Sequence, residues 1–176
     1  MDEFSPRTQK KLGPEALFNW AVKALGRRFY TEAELTQRLG QRAANEDDVP
    51  ATINRLRGIG YLDDARAAEA HAYVRRELDR LGRRRVLSEL EHRGVSPDIA
   101  EKTVDEVYAE VDETEQIRAF LKRKLGRKTE EPIEDPKLLA RLYAAMQRAG
   151  YSSAGIAAAL RRLSPDADWL DEFSGE

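Results

Sequence analysis

Apolar residues recur along this chain at helical spacing. Leu17, Ala21 and Leu25 fall four apart, and Ala67, Ala70, Val74, Leu78 and Leu81 step by three and four. Ala100, Val104, Val107 and Val111 do the same, as do Ile117, Leu121 and Leu125. Leu138, Leu142 and Met146 follow, then Ile156, Leu160 and Leu163. Each set is a one-sided apolar stripe, the mark of an amphipathic helix. No stretch alternates convincingly with period two, so the pattern predicts an all-α chain of about nine short helices.

Helix ends are marked by residue chemistry. Thr31-Glu-Ala-Glu34 reads as a capping box, in which the Thr hydroxyl accepts from a backbone N–H three residues on and Glu34 reaches back. Pro14, Pro50, Pro97 and Pro136 stand at or near expected first turns, and Gly40, Gly94, Gly126 and Gly150 at expected ends. Leu25-Gly26-Arg27-Arg28 recurs as Leu81-Gly82-Arg83-Arg84 and as Leu125-Gly126-Arg127-Lys128; the first two lie 56 residues apart. Gly94-Val95-Ser96 and Gly150-Tyr151-Ser152 share that spacing. We therefore expect a tail over 1–13 and three-helix units over 14–62, 63–111 and 112–163. The third unit carries an insert near 129–136, and an acidic tail over 164–176 follows. Repeats of this kind bury apolar faces mainly against their neighbours.

Composition fits several small cores, since charged residues make up 35% and aromatics only 7%. With no cysteine, disulfide, zinc-thiolate and thiol chemistry are excluded. No apolar run approaches the roughly 20 residues that span a bilayer, and "MDEFSPRTQKK" lacks a signal peptide's apolar core. The expectation is a soluble cytoplasmic protein without membrane contact. Net charge is only −2, but the charges are segregated. Arg118 to Lys128 holds six basic residues and no acid, whereas Asp98 to Glu115 holds eight acids and one lysine. Arg75 to Arg93 carries seven arginines against four acids. This suggests a partly basic surface bordered by acidic ones.

The stretch "GYLDDARAAE" raises the question of catalysis. Neighbouring helix residues project about 100° apart, so Asp63 and Asp64 do not face one site. Asp63 is expected to cap the next helix and Asp64 to complement its dipole. His71 and His92 have no ligand-like spacing and read as exposed helix residues. There is no phosphate-cradling glycine loop and no serine-centred nucleophile motif. Nothing points to an enzyme, a metal or a cofactor.

Residues 56–107, "LRGIGYLDDARAAEAHAYVRRELDRLGRRRVLSELEHRGVSPDIAEKTVDEV", resemble the RecX family of recombinase regulators. The resemblance lies in Gly60 to Asp64, then Gly82, Arg85, Val86, Glu89 and Leu90, then Arg93, Gly94 and Val95. Upstream, Thr31, Glu34 and Leu35 match the start of the family pattern. The likeness covers roughly 16–107 and fades in the third unit. It implies a non-enzymatic regulator built of tandem three-helix units in an elongated, curved array. It also implies binding to the RecA recombinase filament on DNA, restraint of ATP hydrolysis and strand exchange, and contact with single- and double-stranded DNA.

The residues themselves suggest where partners bind. Tyr73, Arg76, Arg80 and Arg84 lie at steps of three, four and four, forming one basic row with an aromatic if the helix persists. Arg83 and Arg85 extend it. Lys122, Arg123, Lys124, Arg127 and Lys128 form a second basic surface, and Arg27 and Arg28 a smaller third. Intramolecular pairs compete for these cations, Arg80 with Glu77 and Arg93 with Glu89 being the nearest. Trp20 sits beside an apolar stripe and reads as core. The alternative reading is a helix-turn-helix transcriptional regulator, whose best base-reading candidate is "DVPATINRLRG" with Asn54, Arg55 and Arg57. A monomer is expected.

Overall fold

The computed structural model of the chain describes residues 11–126 and 132–164. Among these residues there are nine α-helices and no named strand. They are α1 (Pro14–Leu25), α2 (Glu32–Gly40), α3 (Asp48–Gly58), α4 (Asp64–Glu77), α5 (Arg83–His92), α6 (Pro97–Tyr108), α7 (Glu113–Leu125), α8 (Pro136–Ala149) and α9 (Ser153–Leu163). None of them is long and apolar enough to cross a membrane.

The helices pack in tandem triplets. In each, the third helix lies against both of the others: α3 on α1 and α2, α6 on α4 and α5, α9 on α7 and α8. The first core joins Leu17, Ala21, Leu35, Leu39, Ile53 and Leu56, with Trp20 packed at its edge as expected. The second is built from small side chains, Ala68, Ala72 and Ala100 with Val86, Leu90 and Val104. The third is the largest, with Ile117, Leu142, Met146, Ile156 and Leu160 around an edge-to-face Phe120–Tyr151 pair at 5.6 Å. Leu81 is half-buried between the second and third cores.

The expected caps form. Thr31 and Glu34 make the full capping box on α2, and the Asp63 carboxylate accepts from Arg66 N–H at 3.1 Å on α4. Pro14, Pro97 and Pro136 open α1, α6 and α8. Asp64 stands in the first turn of α4, as expected, and makes a further contact. Its carboxylate accepts the backbone N–H of Glu32, the first residue of α2, at 2.7 Å. It therefore satisfies an orphan donor of another helix, which no local reading shows.

Three expectations are corrected. The Leu-Gly-Arg copies are not equivalent: two end α1 and α7, while Leu81-Gly82 lies beyond α4 and immediately precedes α5. The apolar stripe on α4 is only partly its packing face: Ala67 is buried, but its Val74 and Leu78 part is not. Ala68 and Ala72 are fully buried, whereas Val74 and Leu78 are exposed, because alanines let α4 lie close on α6. His71 is not exposed but half-buried, with Nε2 3.0 Å from the Glu89 carboxylate.

Candidate nucleic-acid interface

The second helices meet end to end. Gly82 N–H donates to Ala149 O at 2.7 Å and Arg84 N–H to Gly150 O at 3.3 Å, so the end of α8 abuts the start of α5. At the other end of α5, Thr31 Oγ1 donates to Arg93 O at 2.6 Å, so α5 abuts the start of α2. The carbonyl-rich end of each helix thus faces the N–H-rich end of the next, a favourable order of dipoles. Arg93 clamps the second junction with a two-pronged contact to Glu34 at 3.0 and 3.1 Å. The expected Arg93–Glu89 pair does not form.

The segment linking α4 to α5 is held in place at the first junction. Tyr108 Oη donates to Leu81 O at 2.7 Å and Tyr151 Oη to Arg80 O. Burial pushes the Tyr108 hydroxyl up to about 12 and raises that of Tyr151 as well, so both stay protonated donors. Arg123 donates to Leu78 O at 3.2 Å and Asp79 O at 2.9 Å.

These contacts leave a groove of about 540 Å³ between the second and third triplets. Arg75, Arg85, Arg123, Lys124 and Arg148 line it, against two carboxylates, Asp79 and Glu89. Both carboxylates are committed: Asp79 accepts from Arg75 at 2.7 Å, and Glu89 accepts from Arg75 at 2.8 Å and Arg85 at 2.9 Å. Burial works to raise the Glu89 pKa, but hydrogen bonds from His71, Arg85 and Arg75 and the charge of Arg75 bring it below its ordinary value. Lys124 and Arg148 hold no ion pair among the described residues, so the groove keeps a surplus of positive charge. Such a concavity can take phosphate oxygens.

The cations singled out in the sequence divide between surfaces. Arg85, Arg123 and Lys124 line the groove. Tyr73 and Arg76 line a separate cleft of about 580 Å³ between α4 and α6, where Arg76 donates to Val107 O and Glu77. The row Tyr73–Arg76–Arg80–Arg84 does not exist, because α4 ends at Glu77 and Arg80 adopts a left-handed φ of 53°. Arg80 pairs with Glu77 at 3.6 Å as expected, and Arg83 pairs with Asp105. Arg84, in the first turn of α5, and Lys122, in the last turn of α7, are exposed and without an ion pair among the described residues. Arg127 and Lys128 lie outside the described residues. Sequence reasoning missed Arg75 and Arg148 as groove residues. Arg75 belonged to the arginine-rich segment, but Arg148, in the last turn of α8, lies outside every basic cluster of the sequence and is brought in only by tertiary packing.

The alternative base-reading helix is α3. There Arg55 pairs with Glu15 at 2.8 Å and stacks 3.7 Å over the Phe18 ring, and Arg57 pairs with Glu32. These cations are engaged within the first triplet.

Comparison with known proteins agrees with this architecture. The family model for RecX, first three-helix domain, matches residues 18–56, and that for RecX, second three-helix domain, matches residues 63–104. Regulatory protein RecX of Deinococcus radiodurans is 32% identical, covering 90% of this chain and 73% of the relative. The protein of the same name from Thermobifida fusca is 32% identical, with 90% and 85% covered. The crystal structure of RecX from Lactobacillus salivarius superposes with a TM-score of 0.65 over 85% of this chain and 95% of that one, at 17% identity, and so shares the fold. On these matches, with both three-helix domain models in register with α1–α3 and α4–α6, the chain belongs to the RecX family of regulatory proteins.

Proposed function

We propose that this protein binds RecA recombinase filaments on DNA as a monomeric cytoplasmic regulator and restrains their ATP hydrolysis and strand exchange. The groove between the second and third triplets is its phosphate-binding surface. Family membership supports the regulatory role. The observation that carries the DNA contact is the surplus of cations in that groove, whose two carboxylates are already paired. Arg84 and Lys122, exposed and without ion pairs among the described residues, extend the basic surface on α5 and α7. Tyr73, Arg76, Arg80 and Arg83 are secondary candidates because they also hold the fold together.

The test is DNA affinity against salt. Anisotropy of a labelled single-stranded oligonucleotide should show affinity falling steeply between about 50 and about 200 mM salt through counterion release. Replacing Arg84, Lys124 and Arg148 by glutamine breaks no ion pair among the described residues. It should flatten the salt slope by about one unit for each lost phosphate contact. Inhibition of RecA ATPase should weaken in parallel. An unchanged slope and unchanged inhibition would return these cations to a purely solvated role.

A further inference from the structure

The C-terminal part of the α4 face that helical spacing marks for burial lies on the outside, although Ala67 at its start is buried. Val74 is 46% exposed and Leu78 72% exposed, one turn apart, with half-buried Ala70 one turn before them. Phe29, 48% exposed, reaches in from the segment between α1 and α2 and lines one surface pocket with Ala67, Ala70 and Val74. A continuous apolar strip thus crosses from the first triplet to the second. Scattered exposed apolar residues are ordinary, but a strip assembled from two packing units marks a contact surface.

The rim of the strip is basic. Arg28 and Arg93 line the same pocket, and Arg66 stands 5.6 Å from the centre of the Phe29 ring. Arg123 lies against the carbonyl of Leu78. The carboxylates nearby are spoken for: Glu34 is gripped by Arg93, and Asp79 by Arg75. His71, also in the pocket, is hydrogen-bonded to Glu89.

We propose that this strip docks an amphipathic helix of a partner protein whose apolar side is bordered by Asp and Glu. Resting on the function proposed above, the partner is the recombinase in its filament. The two surfaces then divide the work, the groove holding phosphates and the strip holding protein. Val74 and Leu78 offer no flat π face to a base, so a nucleic-acid strand does not account for them. An apolar helix face fits them, and the cationic rim sets its orientation and speeds encounter.

The experiment compares V74A/L78A and V74D/L78D with the parent. It measures binding to the recombinase filament on single-stranded DNA, binding to naked single-stranded DNA, sedimentation, and urea unfolding. Alanine preserves helix propensity, and both sites are exposed, so the unfolding midpoint of V74A/L78A should stay in place. Leu78→Ala alone serves if the double variant loses its midpoint. V74A/L78A should weaken filament binding about tenfold or more, as loss of a binding hot spot does, and V74D/L78D further. Naked DNA binding should not change. Parent-like filament binding by both variants overturns the strip and leaves the proposed function standing. A parent that does not bind the filament overturns both. An equal loss on naked DNA makes the strip a nucleic-acid surface, and a parent dimer that the variants abolish assigns it to a second copy; either result overturns the proposal.

Discussion

Two adjacent carboxylates, Asp63 and Asp64, show how a residue's role depends on its direction. They project apart on α4, so one caps its own helix and the other reaches the start of α2. Glu89 is the opposite case, one carboxylate on which His71, Arg75 and Arg85 converge. Burial and then the charge of Arg93 hold the His71 imidazole below its ordinary pKa of 6.5, outweighing the hydrogen bond to Glu89. Glu89 itself sits below its ordinary 4.5. Both groups therefore bind protons less readily when folded than when unfolded. Their contribution to stability is full above pH 6.5 and falls as pH drops through and below that value, with Glu89 adding a second loss below 4.5. Urea midpoints should decline from about pH 7.5 to about pH 5.5 in the parent, and His71→Gln should flatten that decline. Equal midpoints at the two pH values in the parent would contradict this account.

At the scale of elements, the succession α8–α5–α2 depends on close backbone approach. Gly150 has a φ of +88°, and a Cβ there would meet the Arg85 nitrogen at 2.3 Å. Gly94 repeats the arrangement one triplet earlier, with a φ of +78° and Ala33 Cβ at 2.4 Å. Gly150→Ala should cost at least about 1–2 kcal/mol for the left-handed backbone alone, and the clash with α5 adds to this. Gly40→Ala, in open space at the end of α2, should be neutral or stabilising by less than about 1 kcal/mol. Urea unfolding of the two variants side by side checks the contrast. If Gly150→Ala were as harmless as Gly40→Ala, the end-to-end junction would not be a determinant of the fold.

For the whole molecule, tandem packing limits how round it can be. A compact chain of this length has a radius of gyration of about 16 Å. Three units in a row, each about 18 Å across from helices of about 12 residues, should give about 20 Å or more. Small-angle scattering near 16 Å would contradict a linear array. The exposed strip and the basic groove belong to this scale too, since each is assembled from two triplets.

What the sequence by itself determined is local. Apolar spacing, proline and glycine placement and the Thr31–Glu34 and Asp63 caps are interactions within one or two turns, so they can be read along the chain and they set the all-α class. The Arg80–Glu77 pair was legible for the same reason. Only the tertiary structure decided which face of α4 is buried. Spacing marks any apolar stripe alike, and the close fit of Ala68 and Ala72 on α6 overrode it. Packing also broke the expected arginine row at Glu77, because the linker must turn to let α5 meet α8. Arg148 joined the groove and Arg93 chose Glu34 across triplets through the same junctions. Charges pair with what is near in space, and between helix ends separated by some 60 residues, as Arg93 and Glu34 are, nearness is set by packing alone.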